Sequence, residues 1–222
     1  MDWHAWHDDY DRPDSFLTRR LAAVQRQIRL ALDSAPPGPL RVISVCAGQG
    51  NDLLGVLPEH PRREDVTARL VELDPRNAAA ARATAAAAGL DQVEVVTGDA
   101  SLVARYGDLT PAQLVLVCGV FGNISDADIK RTVDHCTRLC AVGGTVVWTR
   151  HRKAPDLVPR ICDWFEERGF DRLWLSAPDA GFGAAAHRLV KTDAGTDAAA
   201  DAGPDTADPS MFTFIGYDTL AR

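Results

Sequence analysis

The sequence predicts an α/β protein whose mostly parallel sheet is flanked by helices. Three observations carry this expectation. Short β-branched runs alternate with helical patterns five times, and that alternation gives parallel strands joined by right-handed crossovers. The fourth run, Leu114-Val-Leu-Val117, is almost wholly apolar, as a strand buried on both faces requires. The first run ends in a glycine turn, Ala47-Gly48-Gln49-Gly50, that leads into a helical segment. In sheets of this kind, ligands lie over the carboxyl ends of the strands.

Each element has its own local cause. Ser15 is a candidate N-cap, and Leu17, Leu21, Val24, Ile28 and Leu32 recur at three- and four-residue spacing as one apolar helix face. Pro36-Pro37-Gly38-Pro39 ends that helix. Arg41 to Cys46 reads as the first strand, Asp52 to about Leu57 as a helix, and Thr67 to Leu73 as the second strand. Asp74 and Pro75 supply an N-cap and a first helical residue, and the alanine-rich helix runs to Gly89. Val93–Val96 is the third strand and Leu114–Val117 the fourth. A helix then runs from Asp126 to about Cys140, Gly143-Gly144 turns the chain, and Thr145–Trp148 is the fifth strand. A helix over Asp156–Arg168 stops at Gly169. Leu173–Leu175 and Ala184–Val190 complete seven strands as core strands, and Met211–Ile215 reads as a short extra one.

Size and composition bound the function. The chain has 222 residues and is 46% hydrophobic and 25% charged, enough for one domain with a full core and no need of metals or disulfides to fold. Four segments are expected: a helical and aromatic cap over 1–39, a ligand-binding domain over 40–191, an Asp/Ala-rich loop over 192–209 and a strand extension over 210–222. No apolar stretch approaches the ~20 residues that span a bilayer, so no membrane partner is expected. The start, Met1-Asp2-Trp3-His4, lacks the layout of a signal peptide. Five scattered cysteines without a CxxC pair indicate neither a disulfide framework nor a zinc ribbon; a reducing cytoplasm is the simplest compartment. The formal charge of −7 belongs to the extensions. Residues 1–14 carry five aspartates and Arg12, and residues 192–209 five more aspartates; without both segments the remainder is +2. No basic face for nucleic acid is visible.

The glycine turn lets backbone amides approach a ligand closely. Its spacing is not GxGxxG, which disfavours a nicotinamide-dependent oxidoreductase. Glu72 ends the second strand 22 residues after Gly50, close to the distance expected of an acid that accepts ribose hydroxyls. Asp99 ends the third strand and can accept from an adenine amino group. Together these residues resemble the class I S-adenosylmethionine-dependent methyltransferases over about residues 40–190. "VISVCAGQG" stands at the glycine-rich motif, "LVELDP" at the acidic end of the second strand, "GDA" at the adenine corner, and "AQLVLVCGVFGNI" and "GGTVVW" at the fourth and fifth strands. "CAGQG" and "WTRHR" together look like a subgroup of uncharacterised bacterial methyltransferases.

The resemblance implies a Rossmann-like, seven-stranded sheet with one antiparallel strand near its edge. It implies S-adenosylmethionine as cofactor, held by Ala47, Gly48, Gly50, Asp52, Glu72, Leu73, Asp99, Ala100, Cys118 and Gly119. The sequence departs from the family where the first strand commonly ends with an acid and then glycine; Ser44 and Cys46 stand there. Gln113 stands where the fourth strand often begins with Asp, and Asn123 where a histidine is frequent. No Asp-Pro-Pro-Tyr or Asn-Pro-Pro-Tyr block occurs.

On the acceptor side the candidates are Tyr10, Arg150 and His151, with His7 and Arg152 beside them. Arg150 or Arg152 fits an acidic substrate, and His151 a general base; the alternative is an exposed basic loop. The Trp3, His4, Trp6, His7 and Tyr10 cluster either folds over the mouth or packs on the sheet edge. No metal site is expected. Cys136, Cys140, Cys162, His187, Trp148 and Trp164 read as core residues. The expected function is methyl transfer to a small-molecule acceptor by in-line displacement, driven mainly by positioning, in a monomer or homodimer. Two alternatives keep the cofactor: an enzyme of this fold catalysing a non-methylation reaction, and a non-catalytic binding module.

Overall fold

A computed structural model describes residues 15–191 and 210–215. The expectations for residues 1–14, Tyr10 included, and for the loop 192–209 lie outside the described residues.

Helix α1 (Phe16–Ser34) starts where Ser15 caps it, its hydroxyl accepting from the Thr18 amide at 3.0 Å. The chain then alternates through β1 (Leu40–Val45), α2 (Asn51–Leu54), β2 (Val66–Glu72), α3 (Pro75–Ala87) and β3 (Val93–Thr97). A 3₁₀ segment (Val103–Leu109) precedes β4 (Ala112–Val117), α4 (Asp126–Leu139), β5 (Cys140–His151), α5 (Val158–Glu167), β6 (Phe170–Leu175) and β7 (Phe182–Leu189). The strands form one seven-stranded sheet in the order β3-β2-β1-β4-β5-β7-β6. The first five pair parallel, and β7 enters antiparallel to both β5 and β6.

The sheet buries apolar side chains on both faces. One face packs on α1, α2 and α3 through Val24, Ile28, Leu53, Ala78 and Ala81. The other packs on the 3₁₀ segment, α4 and α5 through Tyr106, Ile129, Val133, Ile161 and Phe165. Two-sided burial explains why β4, with four of its six residues fully buried in a row, reads as an unbroken apolar run.

Four expectations change. The helix after the glycine turn is short: α2 ends at Leu54 and the chain passes into 3₁₀ turns. Gly143-Gly144 does not precede the fifth strand but lies inside it, where the β4–β5 register shifts and Gly143 takes φ +82°. β6 is an edge strand with Leu173 exposed, so only β7 is a core strand of that pair. Residues 210–215 form no strand of the sheet. They make two isolated bridges, Ser210 to Leu102 and Phe214 to Ile124, and bury Met211 and Phe212. Among the described residues, no helix is long and apolar enough to cross a membrane.

Candidate functional site

The carboxyl ends of β1, β2 and β3 are fastened to one another. The Ala47 amide donates to the Val71 carbonyl (3.0 Å) and the Gly98 amide to the Glu72 carbonyl (2.9 Å). Glu72, nearly buried, reaches under the glycine turn: one carboxylate oxygen accepts from the Gly48 amide at 2.8 Å and the other from the Asp74 amide at 2.9 Å. Each amide takes one acceptor position per oxygen, and a ribose diol would compete for the others. The turn is left-handed three times in five residues, at Cys46 (φ +54°), Gly48 (φ +57°) and Gly50 (φ +73°). Gly50 is buried; a Cβ there would stand 2.8 Å from Leu54 Cδ1 and 2.9 Å from Leu70 Cδ2. It therefore shapes the turn, while Ala47 and Gly48 are partly exposed.

Leu73, next to Glu72, is 41% exposed, an apolar side chain at the edge of the cradle. Asp99 is exposed, and its carboxylate accepts from the Ser101 amide at 2.9 Å. Ala100 is buried, with its carbonyl taken by the Tyr106 hydroxyl at 2.8 Å; it anchors the corner from below. On β4 the chain leaves through Cys118 and Gly119. A Cβ on Gly119 would meet nothing within 4 Å, and its φ is +80°. Its amide donates to Thr149 Oγ1 at 2.8 Å, and its carbonyl accepts from Asn123 Nδ2 at 2.7 Å. Thr149 and Asn123 thus set this loop.

Asp52 is 9% exposed, its Oδ1 accepting from the Leu53 amide at 2.8 Å. Burial pushes its pKa up, opposed by backbone hydrogen bonds, by the charge of Arg20 and by a hydrogen bond from Cys118. Burial also pushes the Cys118 thiol well up, which removes a thiolate nucleophile at neutral pH. Burial, then Glu72 and Asp99, do the same to Cys46.

The β5 end carries the expected acceptor-side residues, but not as one cluster. Arg152 is a brace: Nε donates to the Phe182 carbonyl (3.1 Å), Nη2 to the Ser176 carbonyl (3.1 Å) and Nη1 to Asp156 (2.8 Å). Arg150 Nη1 donates to the Phe121 carbonyl, while its Nε is buried without a hydrogen-bond partner. His151 Nδ1 accepts from the Lys153 amide at 3.3 Å. Burial, then the charges of Arg150 and Lys153, lower its pKa, so the ring is neutral at pH 7. Gly122 makes room for it, since a Cβ there would stand 3.1 Å from His151 Cδ2. The described residues contain no group of three or more His, Cys, Asp or Glu able to hold a metal ion.

A glycine cradle facing a buried acid at the end of β2, in a mostly parallel, doubly wound sheet, is a Rossmann-like arrangement. The chain belongs to a methyltransferase family: residues 17–161 match the family model described as "Putative methyltransferase". The Glu72 carboxylate, the open Gly119 backbone and the exposed Leu73 are chemically compatible with S-adenosylmethionine, the cofactor the family implies. No curated protein matches the chain in sequence. An O-methyltransferase family protein from Burkholderia thailandensis is similar in fold, with TM-score 0.63 and 19% identity, over 84% of this chain and 59% of that one. The chain thus spans less than two thirds of that protein. A TehB-like SAM-dependent methyltransferase from Corynebacterium glutamicum aligns with TM-score 0.55 and 17% identity, over 77% of this chain and 93% of that one. An rRNA methylase from Streptococcus thermophilus aligns with TM-score 0.53 and 11% identity, over 74% and 95%. At these identities the likeness is one of fold.

Proposed function

We propose that the protein methylates a small molecule bearing an acidic group, held by Arg150 at the carboxyl end of β5. The observation that carries this reading is the buried Arg150 Nε, which has no hydrogen-bond partner among the described residues. Leaving a buried donor unmet costs about 1–3 kcal/mol, and a bound carboxylate or phosphate would meet it. The charge of the chain is compatible, because the body without its acidic segments is +2. Several surface arginines are matched to acids, among them Arg69 with Glu94 and Asp108, Arg131 with Asp128 and Arg172 with Glu166, which argues against a polyanion such as RNA.

S-adenosylmethionine, when bound, supplies a sulfonium-activated methyl group. In our reading Glu72 accepts from the ribose hydroxyls, Asp99 from the adenine amino group, and Ala47, Gly48, Cys118 and Gly119 line the cofactor's path. Arg150 orients the acceptor in line with the methyl group, which supplies most of the rate. His151, its pKa lowered by burial and by the charges of Arg150 and Lys153, is the candidate base if the acceptor carries a proton. Incubation with S-adenosylmethionine and a panel of small carboxylic and phosphoric acids, their neutral amides and esters, and rRNA should yield S-adenosylhomocysteine with an acid. Arg150→Met should raise KM for it at least tenfold without changing S-adenosylhomocysteine affinity. Turnover with the neutral analogues or rRNA alone would refute the reading.

A further inference from the structure

Helix α1 begins at the carboxyl end of β5, on the acceptor side. Its first residue, Phe16, meets Phe182 edge to face, with ring centres 5.8 Å apart and planes at 80°. Phe182 opens β7 and pairs directly with His151, the last residue of β5. Val147 and Ala186 belong to the core on the α1 side of the sheet. Side chains alternate along a strand, so Thr149 and His151 on β5, and Ala184 and Phe182 on β7, continue that side towards the mouth. Phe182 is buried there, whereas Phe16 is 39% exposed. Three glycines border the same space. A Cβ on Gly119 would meet nothing within 4 Å, one on Gly122 would stand 3.1 Å from His151 Cδ2, and one on Gly181 3.6 Å from Phe16 Cε2. Each leaves bare backbone where another residue would place a side chain. The Gly119 amide is already taken by Thr149 Oγ1, and its carbonyl accepts from Asn123 Nδ2.

We propose that the acceptor carries an aromatic ring, seated against the exposed part of Phe16 between the Phe16–Phe182 pair and the Gly119 loop. The inference deepens the proposed function and rests on it for the acid, so the substrate class becomes small aromatic acids. A ligand pocket holds its occupant by apolar walls and orients it by a few polar groups. Here the walls are two phenylalanine rings and bare glycine backbone, which suit a flat group better than a bulky one. His151 is the polar group beside Phe182, and Arg150 precedes it on β5. The strands β4 and β7 flank β5 and lie two strand spacings apart, about 10 Å, which leaves room for one ring beside the Gly119 loop. Aromatic rings gain from edge-to-face and offset contacts that a saturated ring of equal size does not make. Phe16 is therefore a specificity residue, and α1 takes part in the acceptor side as well as covering the sheet.

The test is calorimetric and needs no turnover. The full chain, saturated with S-adenosylhomocysteine, is titrated with phenylacetate and 3-phenylpropionate, with their cyclohexyl counterparts, and with the amides of all four. Wild type should bind each aromatic acid about three- to tenfold more tightly than its saturated partner. Phe16→Leu, which keeps an apolar side chain, should abolish that preference, and Phe16→Tyr should retain it. Neither variant should change the affinity for S-adenosylhomocysteine. Arg150→Met should weaken both members of a pair alike, which separates the acid from the ring. Equal affinities in wild type, or a preference that survives in Phe16→Leu, would overturn the ring subsite and leave the acid reading standing. A fall in melting temperature of Phe16→Leu with unchanged affinities would assign Phe16 to packing within the chain and overturn it as well. Binding of the aromatic amides alone, with the same dependence on Phe16, would uphold the ring and sink the acid. If no member of the panel bound, both readings would fall.

Discussion

Cys46 adopts φ +54° in the glycine turn, a backbone region that costs a side-chain-bearing residue about 1–2 kcal/mol. A β-branched side chain there is worse still. Cys46→Val should therefore lower unfolding stability by about 1–3 kcal/mol in urea, while Cys46→Gly keeps the turn and loses only sulfur packing. His187 is the second informative residue. It is fully buried, accepts from Trp148 Nε1 at 3.1 Å and stacks on Phe165 with ring centres 4.7 Å apart. Burial, then the Arg172 charge, push its pKa down to about 3. An unfolded chain takes up this proton near pH 6.5, whereas the folded protein does not until about pH 3. Acid therefore favours unfolding across that window, by up to about 1.4 kcal/mol per pH unit. Relative to His187→Phe, wild type should lose stability progressively as pH falls from 6.5, and a constant difference would exclude this origin. Of these residues, His187 was legible as core from its apolar strand. The backbone of Cys46 was not, since nothing in a cysteine announces a positive φ. Arg150 and Arg152 looked alike in sequence, and only the carbonyls of Phe182 and Ser176 separate brace from candidate ligand.

Among the elements, α1 shows how far local chemistry reaches. Its start follows from Ser15, as the sequence indicates. Its end depends on Arg62, whose guanidinium donates to the carbonyls of Leu32 (3.1 Å), Ala35 (2.8 Å), Pro36 (3.0 Å) and Gly38 (2.8 Å) and pairs with Asp65 at 2.9 Å. Leu32 and the C-cap Ala35 present carbonyls that a helix end leaves unmet, and Pro36 and Gly38 belong to the loop beyond it; hydrogen bonds from charged donors contribute more than neutral ones. Arg62→Ala should cost about 2–4 kcal/mol. Lys, with one point charge in place of a planar fork, should recover less than half in equilibrium unfolding. A contact spanning 24–30 residues leaves no trace in periodicity, so sequence reading placed the helix end on the prolines alone. The fifth strand teaches a related lesson. Gly-Gly reads as a turn, yet the sheet absorbs it. A Cβ on Gly144 would stand 2.9 Å from the Ala141 carbonyl and 3.0 Å from that of Ala112, so the glycine permits close approach where the β4–β5 register shifts. Turn chemistry and bulge chemistry use the same residue, and only the neighbouring strand decides between them.

At the scale of the whole molecule, strand order and the switch between β1 and β4 place every candidate cofactor contact at one end of the sheet. That much follows from strand–helix alternation and the glycine turn. The segment 210–215 does not, because six residues carry too little periodicity to separate a strand from a strap. It runs between two loops of the site: the Met211 amide donates to the Ser101 carbonyl and the Ile215 amide to the Asn123 carbonyl, each at 2.9 Å. Asn123 holds Gly119, and Ser101 holds Asp99. Met211→Ala, at a fully buried position, should cost about 2–5 kcal/mol and lower Tm by about 2–4 °C for each of them in calorimetry. The strap also couples the two halves of the site: one short segment ties the loop at Asp99 to the loop at Gly119, so loosening it releases both together.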